Sequence, residues 1–314
     1  MINIAIDLGG TRTKVGILKE YELLSYSVED SFSQDSFSVS LTKLTDQINK
    51  LLADNSVKAD EINGVGLAFP GIVDTVQNKV ISTNEKFNQA IEFDFYKWAK
   101  DNWNAKFKLE NDARAAIIGE WQFGIGKGID NLVMMTIGTG IGGVCLIEGK
   151  LLHGKHFQAG VLGGHSTIDY HGGKCTCGNI GCVESEASTW KLKELITNHK
   201  MLDKSILSKA EVFDFKTLFD AARKKDEIAT ELMKRSLSAW AAGVVNLIHA
   251  YDPEMVILHG GVMKSSDIII PFIQSYVDDH AWTPWGKVKV VKSSSPDFAA
   301  LWGMNYLCSS IKEK

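Results

Sequence analysis

The sequence lacks the features that mark membrane, nucleic-acid-binding and secreted proteins. No apolar run among its 314 residues approaches the length of a membrane span. The net charge is −4, so no excess of Lys and Arg would attract nucleic acid. The opening residues, 1–7, have neither the basic start nor the cleavage site of a signal peptide. We therefore expect a cytoplasmic protein that binds no membrane and no nucleic acid, with a length sufficient for two domains.

Cysteine is scarce and unevenly distributed. The chain has five cysteines, and three of them lie in one short stretch: Cys175, Cys177 and Cys182. This stretch, 165–184, reads H-S-T-I-D-Y-H-G-G-K-C-T-C-G-N-I-G-C-V-E, and its glycines would let ligands so close in sequence converge. Three thiolates and one imidazole form a closed tetrahedral shell for Zn²⁺. The pattern predicts a zinc site rather than a loop with unrelated buried thiols. The fourth ligand is either His165 or His171, and the spacing alone does not decide between them.

A glycine-rich turn joins two predicted strands near the N-terminus. Residues 7–14 read D-L-G-G-T-R-T-K and lie between the apolar runs 2–6 and 15–18. Successive backbone N–H groups in such a turn can form a nest that binds anions. The acid before the glycines and the donors after them favour a phosphate site over an ordinary hairpin turn. Asp7 could hold a metal ion, directly or through water. The candidates for phosphate binding are Gly9, Gly10, Thr11, Thr13 and Lys14.

A second glycine-rich turn lies in the other half of the chain. Residues 138–143 read G-T-G-I-G-G and follow the predicted strand 132–137. They contain G-x-G-x-x-G, the dinucleotide fingerprint, but that motif should open a helix, whereas residues 144–147 resemble a strand. A nicotinamide enzyme is therefore disfavoured, and the Walker A pattern G-x-x-x-x-G-K-[ST] is absent from the sequence. Two strand–turn–strand units, one in each half, predict two similar lobes that face one nucleotide.

An acidic residue lies between a predicted strand and a predicted helix. The strand-like piece 107–109 stops at E-N-D, residues 110–112, and residues 113–121 are predicted to form a helix. Asp112 is either the N-cap of that helix or a catalytic base. The two roles are compatible if the carboxylate faces a cleft.

The rest of the chain alternates between helical and strand-like patterns. The predicted strand 255–258 leads to Gly260 and Gly261, which either let a flat base pack against backbone or form a tight turn. The other predicted elements are helices at 37–52, 189–208, 215–232, 237–250 and 297–307 and strands at 65–69 and 288–291. This alternation is typical of an α/β protein.

These motifs together resemble the ROK family (repressor, open reading frame, kinase) of sugar kinases. Five motifs carry the resemblance over nearly the whole chain: D-x-G-G-T-x-x-K at 7–14, E-N-D at 110–112, the glycine turn at 138–143, G-H with C-x-C-G-x-x-G-C-x-E at 164–184, and L-H-G-G-V at 258–262. The resemblance implies an α/β, two-lobed actin-like ATPase fold, which is ribonuclease H-like, with a small zinc-binding loop at 165–184. The implied lobes are residues 1–120, completed by a C-terminal helix at 298–314, and residues 121–297.

The resemblance also implies an activity, namely transfer of the ATP γ-phosphoryl group to the 6-OH of a hexose or hexose derivative. This is the reaction of a glucokinase or an N-acetylmannosamine kinase. Asp112 would take the hydroxyl proton, Mg²⁺ would lie near Asp7, and the zinc would be structural with His165 as its fourth ligand. The implied sugar contacts are Gly71, Asn84, Asn111, Asp112, His165 and Glu184. The implied nucleotide contacts are the first turn and Gly138, Thr139, Gly140, Gly260 and Gly261. A homodimer is implied as well.

The sequence departs from the family's pattern at one position. The kinases usually show G-E-x-G-H, whereas residues 160–165 read G-V-L-G-G-H, so Leu162 stands where a sugar-binding Glu is usual. A β-glucoside kinase is therefore an alternative, because a sugar substituted at C1 does not present its anomeric hydroxyl. The alternatives of another class are a sugar-responsive repressor and a sugar-binding protein of the same family. A repressor would need an N-terminal helix-turn-helix domain, whereas Met1 leads directly into the first predicted strand.

Overall fold

A computed structural model describes residues 2–20, 22–31, 36–83, 87–295 and 297–310 of the chain. The chain divides into two compact units, each with its own hydrophobic core. The first unit comprises Met1–Gly128, His153–Ala159 and Asp297–Lys314, and the second comprises Ile129–Leu152 and Gly160–Pro296. None of the helices in the described residues combines the length and the apolar character that a membrane crossing requires.

The first unit is built on a five-stranded mixed sheet. The strands of this unit are β1 (Ile2–Leu8), β2 (Arg12–Lys19), β3 (Glu22–Asp30), β4 (Ile62–Phe69), β5 (Gly71–Asp74), β6 (Lys79–Thr83) and β7 (Lys106–Asn111), and its helices are α1 (Phe37–Asp54), α2 (Phe95–Trp103), α3 (Asp112–Phe123) and α9 (Ala299–Ser309). Strands β5 and β6 form a separate two-stranded sheet. The sheet order is β3-β2-β1-β4-β7, with two antiparallel pairings followed by two parallel ones. The central strands are almost wholly buried, whereas the edge strand β3 alternates in exposure, as expected for a strand covered on one face.

The C-terminal helix packs closely on the first unit because glycines replace larger side chains at the contact. Helices α3 and α9 meet at Gly119 and Gly303, where a Cβ would collide with a backbone carbonyl oxygen of the opposite helix. The buried amide of Asn3 in β1 donates to Asn305 Oδ1 in α9 at 2.8 Å. Residues close to the two chain ends therefore belong to one compact unit.

The second unit repeats the sheet of the first. Its strands are β8 (Leu132–Ile137), β9 (Ile141–Ile147), β10 (Lys150–Leu151), β11 (Met255–His259) and β12 (Lys289–Lys292), and its helices are α4 (Val183–Ala187), α5 (Thr189–Thr197), α6 (Phe215–Arg223), α7 (Glu227–Tyr251) and α8 (Ser266–His280). The order is β10-β9-β8-β11-β12, again with two antiparallel and then two parallel pairings. Both predicted strand–turn–strand units are confirmed as antiparallel hairpins, β1–β2 and β8–β9.

The helices of the second unit differ from the predicted ones at their ends. The predicted helix 189–208 ends at Thr197, and the chain continues in short 3-10 turns. Helix α6 ends at Arg223 rather than continuing to residue 232, and α7 then runs unbroken from Glu227. The break falls there because Asp226 caps α7 by accepting a hydrogen bond from a backbone N–H of its first turn. The elements β3, β5, β10, α2, α4 and α8 lie outside the predicted set.

Candidate active site and metal centre

Two acidic side chains of the first unit lie at the carboxyl ends of parallel strands. Strands β1 and β7 both run parallel to β4, which lies between them, so their carboxyl ends share one edge of the sheet. Asp7 in β1 is opposite Lys14 in β2, and Lys14 Nζ lies 3.7 Å from Asp7 Oδ2. The same ammonium donates to the carbonyl oxygen of Asp297 at 2.8 Å. At the other strand end, Asp112 follows β7 directly.

Asp112 is the first residue of α3, and Asn111 is the N-cap. Asn111 Oδ1 accepts a hydrogen bond from the backbone N of Arg114 at 3.2 Å, so the interpretation of Asp112 as the cap is wrong. The half-buried Asp112 accepts at Oδ1 from the backbone N of Ala113 at 2.8 Å and from Asn111 Nδ2 at 2.9 Å. These two bonds fix the orientation of the carboxylate.

Burial raises the pKa values of both acids. Burial raises the pKa of Asp112 to about 6, the negative charge of Asp7 adds to the rise, and the hydrogen bonds from Ala113 and Asn111 oppose it. Burial also raises the pKa of Asp7, against the attraction of Lys14. A carboxylate with a pKa close to neutral pH is suited to act as a general base. The pair is also suited to a divalent cation, which would relieve the repulsion between the two charges.

A cluster of Glu110, Arg114 and His153 supports this edge of the sheet. The sequence motifs indicated Glu110 but neither of the other two residues. Glu110 is 1% exposed, accepts from the backbone N of Asn111 at 2.9 Å and lies 3.1 Å from His153 Nε2. Arg114 is fully buried, lies 3.8 Å from Glu110, and donates from Nη2 to the carbonyl oxygen of Phe157 at 3.1 Å. The cluster ties a segment from much later in the chain to the strand end. No local pattern indicates it, because the partners are far apart in sequence.

The first glycine turn divides the phosphate candidates into two groups. Gly9 donates its backbone N–H to the carbonyl oxygen of Arg12 at 3.0 Å, and a Cβ at Gly9 would lie 2.7 Å from that oxygen. Gly10 is half-buried and Thr11 is exposed at the turn. Thr13 is 4% exposed and lies within β2. Thr11 is therefore the exposed candidate of this turn, whereas the tight turn itself requires glycine at position 9.

One further sugar candidate of the first unit, Gly71, lies in β5. Gly71 begins this strand, and its carbonyl oxygen accepts from Asn111 Nδ2 at 3.0 Å. This bond links Gly71 to the E-N-D segment and orients the amide of Asn111. Asn84 lies outside the residues that the structure describes.

The second glycine turn is short and open. It joins β8 and β9, and Gly138 donates its backbone N–H to the carbonyl oxygen of Gly140 at 2.9 Å. Thr139 is exposed at the tip. A Cβ at Gly138 would meet no protein atom within 4 Å, and its backbone is not left-handed. Neither packing nor backbone conformation therefore requires glycine at this position.

The two glycines after β11 have different environments. Gly260 has φ 107°, and a Cβ there would collide with the carbonyl oxygen of Ile137, so the fold itself requires Gly260. A Cβ at Gly261 would meet no protein atom within 4 Å. The tight-turn interpretation therefore applies to Gly260, and only Gly261 offers open space for a flat ligand.

Four side chains of the second unit form a cluster that could hold a metal ion. The ligand atoms that lie within 4.8 Å of one another belong to His165, Cys175, Cys177 and Cys182. The sulfur of Cys175 is 3.4 Å from His165 Nδ1, and the other two sulfurs are 3.8 Å apart. Tetrahedral Zn²⁺ with Zn–S bonds of about 2.3 Å would separate two sulfurs by about 3.8 Å, so the donor set and spacing fit zinc. His171 is exposed and contacts the ring of Tyr170, outside this cluster.

Glu184 lies beside the second glycine turn and is 8% exposed. Its Oε2 accepts from the backbone N of Ile141 at 2.8 Å, and Thr176 Oγ1 donates to Oε1 at 3.4 Å. The residue predicted to bind sugar is therefore also a structural partner of the hairpin. Thr176 is a further residue that sequence reasoning missed.

Comparison with known proteins finds relatives along nearly the whole chain. The sequence model of the ROK family matches residues 3–311. A glucokinase of Thermotoga maritima is 30% identical over 99% of this chain and 97% of its own. A xylose repressor of Bacillus subtilis is 27% identical over 96% of this chain and 76% of its own. A ROK family glucokinase from Streptomyces griseus, solved in complex with glucose and AMPPNP, is 24% identical, with a TM-score of 0.78 over 98% of this chain and 99% of that one. The structural likeness confirms the expected actin-like ATPase fold.

Proposed function

The chain belongs to the ROK family, and on that premise we propose that it is an ATP-dependent sugar kinase acting on the 6-OH of a hexose or hexose derivative. The observation that carries the proposal is Asp112, a half-buried carboxylate with a pKa of about 6 at the start of α3. Such a carboxylate is mostly ionised at neutral pH and can accept the hydroxyl proton. The bond from the sugar oxygen to the γ-phosphorus forms, the bond from that phosphorus to the departing ADP breaks, and the proton moves to Asp112.

The first unit would supply the base, sugar contacts and a cation site. Asn111 is oriented by Gly71 and Asp112, so its amide is in place before a sugar arrives. Asn84 is proposed as a further sugar contact. Asp7 would hold Mg²⁺, which normally takes one or two carboxylates together with phosphate oxygens. Lys14 already lies beside Asp7 and would offset part of the remaining negative charge.

The second unit would supply phosphate and sugar contacts. The proposed nucleotide contacts are the open glycine turn at Gly138, Thr139 and Gly140, with Gly261 beside the base and Gly260 holding the backbone. His165 and Glu184 are proposed to bind sugar hydroxyls. Glu184 keeps this capacity, because a carboxylate has about four acceptor sites and two of them are occupied here.

The metal cluster would hold a structural Zn²⁺ through His165 and three cysteines. Four protein ligands close a tetrahedral shell, which leaves no position for a substrate. The ion would therefore stabilise the loop rather than take part in phosphoryl transfer. Elemental analysis of protein purified without chelators tests this directly, and the expected content is about one zinc per chain.

Leu162 favours a second candidate, a β-glucoside kinase. Its side chain is 43% exposed although it is aliphatic, and it directly precedes the 3-10 turn Gly163–His165. An aliphatic side chain cannot accept a hydrogen bond from a hydroxyl, but it can pack against an aglycone. Leu162→Glu should then raise kcat/KM for glucose relative to a β-glucoside by about tenfold, the effect of one charged hydrogen bond. Strong wild-type activity on glucose with none on any glycoside would exclude this candidate.

An ATP-coupled phosphorylation screen tests the proposed activity. The sugars to compare are glucose, N-acetylmannosamine, N-acetylglucosamine, fructose, allose and β-glucosides, each with its 6-deoxy analogue as the matched control. Turnover of a sugar but not of its 6-deoxy analogue supports transfer to the 6-OH. Sugar binding without ATP consumption would instead support a sugar-binding or regulatory protein. A homodimer is proposed as well, and sedimentation equilibrium measures it.

A further inference from the structure

The metal-binding loop, 165–184, and Gly164 directly before it contact Ile141, which lies in the second glycine turn. Glu184 accepts the backbone N–H of Ile141 at 2.8 Å. Gly164 packs so closely that a Cβ would collide with the carbonyl oxygen of Ile141. Thr176 reaches the same place indirectly, by donating to the second oxygen of Glu184 at 3.4 Å. The backbone N–H and the carbonyl oxygen of Ile141 are therefore both in contact with residues 164–184.

Each of these loop residues is close in sequence to a metal ligand. The candidate metal ligands are His165, Cys175, Cys177 and Cys182. Gly164 directly precedes the histidine, and Thr176 lies between the first two cysteines. Glu184 is the second residue after the third cysteine. Because only one or two residues separate each contact from a ligand, a displacement of the ligands would also displace the residues that contact Ile141.

The glycine turn has little freedom to move independently of Glu184. Glu184 is 8% exposed, and Ile141 is 4% exposed. A Cβ at Gly140 would lie 2.5 Å from Glu184 Oε2, so the turn backbone packs directly on the carboxylate. Withdrawal of Glu184 would leave the buried N–H of Ile141 without its acceptor, which is costly. The shape of the turn therefore depends on the loop.

We infer that Glu184 is a positioning residue for the nucleotide, through which metal binding and nucleotide binding are coupled. The inference rests on the proposed function, because it requires nucleotide phosphates at 138–140. With the four ligands held, Thr176 and Glu184 stay in place, and Ile141 keeps the turn in the shape that the phosphates need. Coupling between two binding sites is reciprocal, so nucleotide must strengthen metal binding by the same factor.

Substitutions at Glu184 separate its two proposed roles. Glu184→Gln keeps an oxygen that can accept from Ile141, so the Kd for ADP should stay within about twofold of wild type while the KM for sugar rises. Glu184→Ala removes the acceptor and should weaken ADP binding about tenfold, measured by calorimetry without sugar. Thr176→Val, the matched control, keeps the bond to Ile141 and should weaken ADP binding less than Glu184→Ala does. Equal ADP affinity in wild type and Glu184→Ala overturns the inference, whereas wild type that binds no ADP overturns the proposed function instead.

The wild-type protein provides a second test that does not depend on the folding of a variant. After zinc is removed with a chelator, amide hydrogen exchange should rise together in 138–142 and 165–184 and stay unchanged in the first turn, 7–14. Saturating ADP should raise the affinity for Zn²⁺ about tenfold, measured by competition with a colorimetric chelator. Faster exchange confined to 165–184, faster exchange everywhere, or a zinc affinity independent of ADP would each refute a specific coupling.

Discussion

Replacing Asp112 by Asn should inactivate the protein and, at neutral and alkaline pH, make it more stable. Asn keeps an oxygen that can accept from Ala113 and Asn111, so the local geometry is retained. It carries no charge and cannot take a proton from a sugar hydroxyl. Loss of a general base typically lowers kcat by about 10²–10⁴-fold. The gain in stability has a separate origin, which is the removal of a buried negative charge close to Asp7.

The size of this gain follows from the raised pKa of Asp112. A shift from the ordinary value of 3.8 to about 6 corresponds to about 3 kcal/mol against the ionised form, and partial contact with solvent reduces this to about 1–2 kcal/mol. Because the folded-state pKa is the higher one, the protonated acid is favoured by folding. Its stabilising effect is complete below pH 3.8 and is lost as the pH rises through about 6. The advantage of Asn should therefore be largest at pH 8 and roughly half as large at pH 5.

Urea unfolding of both proteins at pH 5 and pH 8 measures the stability difference, and a coupled assay measures kcat. Asp74→Asn is a suitable control, since it removes a charge from the same unit at a carboxylate that also accepts backbone N–H bonds, from Val76 and Gln77. The control should keep turnover and show no gain that grows with pH. If Asp112→Asn keeps more than half of the wild-type kcat, Asp112 is not the base. If it is equally destabilised at both pH values, burial of the charge is not the dominant effect.

Three further predictions concern the second unit. Gly138→Ala should weaken nucleotide binding about tenfold in calorimetry without lowering the melting temperature, whereas Gly164→Ala should lower the melting temperature because its Cβ collides with a backbone oxygen. His165→Ala should lose most of its zinc in elemental analysis, and His171→Ala should keep it; the reverse result would contradict the geometry of the cluster. Asp226→Ala should lower the free energy of unfolding by about 1–2 kcal/mol in urea at pH 7. Burial tends to raise the pKa of Asp226, but the hydrogen bonds that its carboxylate accepts outweigh burial and lower it. The loss of stability in Asp226→Ala should therefore become smaller as the pH falls. An equal loss of stability at acid pH would contradict this prediction.

Local patterns in the sequence determined the elements that carry the chemistry. The two glycine turns between apolar runs predicted the hairpins β1–β2 and β8–β9, and both are present. The spacing of Cys175, Cys177 and Cys182 predicted that they lie together, and they do. These predictions succeeded because strand pairing across a tight turn and ligand clustering in a short loop depend on residues close in sequence. The predicted boundary between α6 and α7 was wrong. Apolar residues continue at helical spacing across this boundary, whereas the cap at Asp226 decides where α7 begins.

Only the tertiary structure decided the choices that depend on distant residues and on burial. It brought His165 rather than His171 to the thiols, and it assigned the helix cap to Asn111 rather than Asp112. The raised pKa of Asp112 and the hydrogen bond from the Ile141 N–H to Glu184 likewise depend on the tertiary structure. A pKa depends on desolvation and on charges brought close by the sheet, and a buried hydrogen bond depends on which backbone group reaches the carboxylate. Neither quantity is contained in the spacing of residues along the chain, because folding sets the distances between segments that the sequence keeps far apart.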